Sequence, residues 1–124
     1  MDALRIPLRI VFYRDDDGDW IARCLEFDLC GDGSTKEAAA AMLTKAIDIQ
    51  VEQSTADRNL ANLLTPAESE YFRMFAAGHD VAVAELHLSP RSPSPILIES
   101  MEAREYDSSA ADAGRFTTSY ELPV

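Results

Sequence analysis

Apolar and polar positions alternate at the start of the chain. Residues 6–14 (IPLRIVFYR) put Leu8, Ile10 and Phe12 on one side of an extended backbone and Arg9, Val11 and Tyr13 on the other, which predicts a β-strand. The alternation stops at Asp15-Asp16-Asp17-Gly18-Asp19, where Asp-Gly signals a hairpin turn. Trp20 to Leu25 reads as the antiparallel return strand. Glu26 to Gly33 is a short, irregular third segment. It ends in Gly31-Asp32-Gly33, a corner expected to use positive φ to turn the chain sharply. The period then changes from two to between three and four. Ser34 with Glu37 forms a capping box, with Thr35 as the alternative cap. The helix that follows is expected to run to about Gln53, with Ala39, Met42, Leu43, Ala46 and Ile49 on its buried face.

The second half is less regular. Residues 54–64 (STADRNLANLL) read as a linker or short helix. Thr65-Pro66-Ala67-Glu68 is a second capping box. It predicts a helix over Pro66–Ala77 that buries Tyr71, Phe72 and Phe75 and stops at Gly78. Val81–Leu88 and Ile96–Ala103 read as strands on either side of a proline-rich loop, Ser89–Pro95. From Asp107 the residues are small and polar and read as a mobile tail, in which Phe116 and Tyr120 offer a last short strand. No internal repeat is present. The expected class is α+β: a small antiparallel three-stranded sheet with one packed helix (β-β-β-α) over residues 1–53, a helix and β-hairpin extension over 54–106 packing on the same domain, and a tail over 107–124.

Composition narrows the classes of function. The 124 residues, 47% of them hydrophobic, suit one domain with a real core. Eleven Lys and Arg stand against 22 Asp and Glu, a net charge of −11. Such a surface repels the phosphate backbone, so direct nucleic-acid binding is not expected. It attracts a basic partner and speeds the encounter. No apolar run approaches the roughly 18–20 residues that span a bilayer. The N-terminal stretch alternates apolar residues with Arg and lacks the apolar core and cleavage site of a signal peptide. Cys24 and Cys30 do not make a disulfide framework, so a cytoplasmic protein with free thiols is expected.

No motif in the chain carries catalysis. Asp15, Asp17, Asp19 and Glu26 fall at positions 1, 3, 5 and 12 of a calcium-loop template, but Gly18 is at position 4 instead of 6 and the flanks are strands. Two cysteines six residues apart, with His79 and His87 remote, fall short of a structural zinc set. His79 reads as serving a helix C-terminus. Neither histidine has a nucleophile motif beside it, and no phosphate-cradling glycine loop is present. The carboxylates suit Mg²⁺-dependent nuclease chemistry only in principle, because clustered Asp in turns is ordinarily solvated surface. Neither catalytic residues nor a metal or cofactor is therefore expected. Trp20, the single tryptophan, reads first as a sheet residue and second as an anchor for a protein partner.

Trp20-Ile21-Ala22, then Leu25-Glu26-Phe27-Asp28, then Gly33-Ser34-Thr35-Lys36-Glu37-Ala38 resemble, in that order, the HicB-like antitoxin domain over about residues 6–52. The resemblance implies a β-β-β-α unit of partial ribonuclease-H-like fold without nuclease activity. It also implies a role in binding and blocking a small basic mRNA-cleaving toxin, HicA. Full antitoxins of this kind usually add a DNA-binding domain. Here the helix Pro66–Ala77 has a single Arg73 beside Glu68 and Glu70, and it is not expected to enter a DNA groove. The partner face expected from the sequence is Asp15, Asp16, Asp17, Asp19, Trp20, Glu26 and Asp28. The alternative is a stand-alone α+β protein that acts by homo-oligomerisation through its sheet edges.

Overall fold

The computed structural model describes residues 4–59, 61, 63–82 and 96–107. Its elements run β1 (Leu4–Arg14), β2 (Trp20–Cys24), β3 (Leu29–Gly33), α1 (Lys36–Ala56), α2 (Ser69–Ala77), β4 (His79–Val81) and β5 (Ile96–Glu105). The class is α+β, but the sheet is five-stranded and mixed instead of three-stranded and antiparallel, with order β3-β2-β1-β5-β4. β1 and β2 form the expected hairpin, with Phe12 opposite Ala22. β3 is a regular antiparallel neighbour of β2. β5 lies parallel to β1 on its other side and pairs antiparallel with β4. β1 therefore occupies the middle of the sheet. Of the expected second hairpin, the described residues show the short β4–β5 pair; residues 83–95 and the expected tail from 108 onward lie outside the described residues.

The alternation in β1 divides two cores. Leu8, Ile10 and Phe12 face α1 and pack with Ala22, Cys24, Leu43 and Ile47. Val11, on the opposite face, packs with Leu25, Ala67 and Phe75 beneath α2. Because both faces are covered, Val11 is fully buried although its neighbours Arg9 and Tyr13 are only partly so.

α1 begins at the Thr35 cap, whose hydroxyl accepts from the Ala38 amide at 3.0 Å. This makes Glu37 the second helical residue, and the Ser34–Glu37 box is not formed. The buried face also differs from the expected one. Ala39, Ala40, Leu43, Ile47 and Val51 are buried, whereas Met42 and Ile49 are 48% and 60% exposed. The same spacing admits two neighbouring stripes, and the small pair Ala39-Ala40 lets the helix backbone come down on the sheet.

β3 explains why. Gly31 and Gly33 do not have positive φ; among the described glycines only Gly18 does, at +87°. Both lie on the side of β3 that faces α1. A Cβ at Gly31 would collide with the Leu43 amide and lie 2.6 Å from the Ala39 carbonyl, and one at Gly33 would lie 2.6 Å from Ala38 Cβ. The glycines permit close helix-on-strand packing rather than a sharp corner.

α2 starts three residues later than expected. Its N-cap is Glu68, with no side-chain capping bond. The preceding segment is used differently: the Ala67 amide donates to the Leu25 carbonyl at 2.8 Å and Ala67 is buried, so this stretch ties α2 to the sheet in extended form. Phe75 is buried as expected, while Tyr71 and Phe72 are half-buried. The helix stops at Gly78, as expected.

Candidate functional site

The seven residues expected to form a partner face separate into three settings. Asp15, Asp16, Asp17 and Asp19 lie in the β1–β2 turn at one end of the sheet. One carboxylate oxygen of Asp15 accepts from the Asp17 amide at 3.0 Å and the Asp19 amide at 2.9 Å, so the turn is organised by its own first residue. The Asp15 amide also donates to the Asp19 carbonyl. Asp15, Asp16 and Asp17 are exposed.

Trp20 is half-buried on the α1 face, where Arg14 lies 4.7 Å and Lys36 Nζ 5.3 Å from its ring. Lys36 also pairs with Glu105. The ring thus ties the hairpin, the start of α1 and the end of β5 together. Its contacts with two cations are a structural role, and the half-buried ring leaves only part of itself for a partner.

Glu26 and Asp28 lie at the other end of β2 and on the opposite face. Glu26 is clamped to β1: the Arg9 amide donates to one carboxylate oxygen and Arg9 Nε to the other, both at 2.7 Å. Asp28 sits in a left-handed conformation (φ 52°) and accepts from Arg23 at 3.0 Å. Both carboxylates already have cations. The sequence could not show this, because Arg9 and Glu26 are brought together only by the sheet.

Those cations belong to a layer that the sequence reading missed. Arg9, Arg23 and Arg104 project from three adjacent strands toward α2, and each meets one of its aromatic rings. Arg9 is 5.0 Å from Phe72, Arg23 is 4.1 Å from Tyr71 and Arg104 is 4.5 Å from Phe75. Each arginine also contacts a carboxylate: Glu26, Asp28, and Asp80 with Glu102. Arg104 Nη1 donates to the Phe75 carbonyl at 3.1 Å, which neutralises the negative end of α2. The available signal was arginine at inward-facing positions of an apolar strand, answered by Tyr71, Phe72 and Phe75 on one short helix.

The remaining chemistry is sparse. Among the described residues no group of three or more His, Cys, Asp or Glu is placed to hold a metal ion. The calcium-template residues do not converge, since Asp15 serves the turn and Glu26 serves Arg9 at the far end of β2. Cys24 is buried and burial pushes its thiol up to about 12; Cys30 is exposed on β3. Burial likewise raises the Tyr13 phenol, with the Arg23 hydrogen bond working against it. His79 is exposed in β4, and His87 lies outside the described residues. No described helix is long and apolar enough to cross a membrane.

Compared with family models, curated proteins and solved structures, the chain matches none. Its function is therefore argued from its own geometry. Of the expected set, Asp15, Asp16 and Asp17 of the turn are exposed, as is Asp28 beside Arg23, and Trp20 is partly accessible.

Proposed function

We propose that this chain is a non-enzymatic interaction module of the HicB-like antitoxin type, which binds and neutralises a small basic RNA-cleaving protein. One observation carries the reading: Asp15, Asp16 and Asp17 of the turn face solvent, while five of the eleven cations are held by side chains of the fold. Arg9, Arg14, Arg23, Lys36 and Arg104 all lie against aromatic rings, and four of them also contact carboxylates. The chain keeps a net charge of −11, with Arg5, Lys45, Arg58 and Arg73 also exposed. Such a field favours fast, salt-sensitive capture of a cationic protein. The order β1-β2-β3-α1, with the helix opening at Lys36 within the Gly33–Ala38 segment, is in keeping with the β-β-β-α unit that the HicB-like resemblance implies.

The test is co-expression with the product of the adjacent gene. A small basic product that co-purifies, and is released as salt rises, supports the reading. A small basic neighbour that forms no complex contradicts it. The second reading is self-association, favoured by the exposure of Met42 and Ile49 on α1 and by β3, with whose outer side no described strand pairs. It predicts a molecular mass that rises with concentration in sedimentation equilibrium; a constant monomer mass contradicts it.

A further inference from the structure

The position of α1 makes the β3 edge a walled ledge. The helix backbone rests on Gly31 and Gly33, with the Met42 main chain among the atoms nearest a Gly31 Cβ. β3 is the outermost strand, and no described strand pairs with its outer side. Met42 and Ile49 are seven residues apart, two turns, and so lie in line along the exposed flank of α1. On the opposite face of β3, Cys30 and Asp32 are exposed. Gly33 pairs with Trp20, so the acidic turn lies just beyond that end of the strand. An incoming extended chain meets a main-chain edge with which no described strand pairs, the side chains of Met42 and Ile49 on one side, with Lys45 between them, and carboxylates on the other.

We infer that this ledge receives an extended segment of a basic protein, which adds to β3 as a further strand. Its alternate side chains are apolar, toward Met42 and Ile49, and cationic, toward Asp32 and the acidic turn. The inference rests on the reading of the partner as a basic protein and names where that partner docks. Charge selects this occupant over a second copy. Two copies joined edge to edge would bring like-charged chains, each of net −11, together around Asp32, whereas a cationic strand neutralises those groups.

The probe is a synthetic ten-residue peptide alternating valine and lysine, with a valine–glutamate version as control. Binding is read by anisotropy and by amide chemical shifts. The lysine peptide is expected to shift residues 29–33 and 42–49. The double variant Met42→Gln, Ile49→Gln leaves charge unchanged at two exposed helix positions and is expected to weaken binding by about tenfold or more. A bulky maleimide on Cys30 is expected to block it. Lysine-peptide binding with shifts confined to residues 15–19, unaffected by the double variant, overturns the ledge and leaves the basic-partner reading intact. Equal binding of the glutamate peptide, or no binding of the lysine peptide, counts against both. Efficient Cys30-to-Cys30 cross-linking of the unliganded chain by a short bismaleimide assigns the edge to a second copy and overturns the inference.

Discussion

Arg23 and Tyr71 meet across the layer between the sheet and α2, with the guanidinium 4.1 Å from the ring centroid. Arg23 Nε donates to Tyr13 Oη at 3.2 Å, and the Tyr13 and Tyr71 rings stack at 5.9 Å. One arginine therefore joins two strands and a helix. Tyr71→Ala is expected to cost about 2–3 kcal/mol in urea denaturation, while Tyr71→Phe keeps the ring and costs well under half of that. A double-mutant cycle between Arg23 and Tyr71 should give a coupling of about 0.5–1 kcal/mol. Additive single effects would mean that the contact is incidental to stability.

Gly31 tests the close approach of α1. Gly31→Ala drives a methyl group into the helix backbone and should cost more than about 2 kcal/mol. Gly18→Ala meets open space and carries only the strain of its positive φ, about 1 kcal/mol. If the two variants cost the same, α1 does not rest on β3 as described.

The ends of α1 give opposite signs. Thr35→Ala removes the cap and should cost about 1 kcal/mol, whereas Ser34→Ala stays within about 0.5 kcal/mol. Beyond the last turn, Arg58 has φ 55°. Arg58→Gly should gain about 0.4–1 kcal/mol by relieving that left-handed backbone. Thermal unfolding of the three variants checks the order.

These contrasts also show what was legible in the sequence. The β1–β2 hairpin and the presence of α1 follow from local alternation, a turn signal and a cap. The rotation of α1 does not, because Met42 and Ile49 share a helical spacing with Leu43 and Ile47. Only the two glycines of β3 decide which stripe faces the sheet. The parallel pairing of β5 with β1 joins residues more than 80 positions apart, and no periodicity encodes it. In the candidate site the acidic turn is local and was legible. The capture of Glu26 by Arg9 and of Asp28 by Arg23 depends on assembly of the sheet and was not.

Cys24 makes stability sensitive to alkaline pH. Burial raises its thiol in the folded state from the ordinary 9.0 to about 12. A group whose folded value is raised contributes stability that is complete below the unfolded value and is lost as pH rises through the folded one. Stability should thus be flat up to about pH 8, where the unfolded thiol is still protonated, and decline above pH 9. Cys24→Ala should remove much of that decline, leaving a smaller part from the raised Tyr13. In the native protein one thiol, Cys30, should react quickly with a water-soluble disulfide reagent, and two should react after unfolding. Rapid native labelling of both would contradict the burial of Cys24.

The central claim is that an exposed acidic surface captures a basic protein. Its most direct test is the association rate with the small basic product of the neighbouring gene, measured over a range of salt concentrations. The comparison is between the native chain and a variant with Asp15, Asp16, Asp17 and Asp19 replaced by Lys. The account predicts fast association that slows steeply with salt, and a slower, flatter profile for the variant. Identical rates and salt slopes for the two proteins would contradict it.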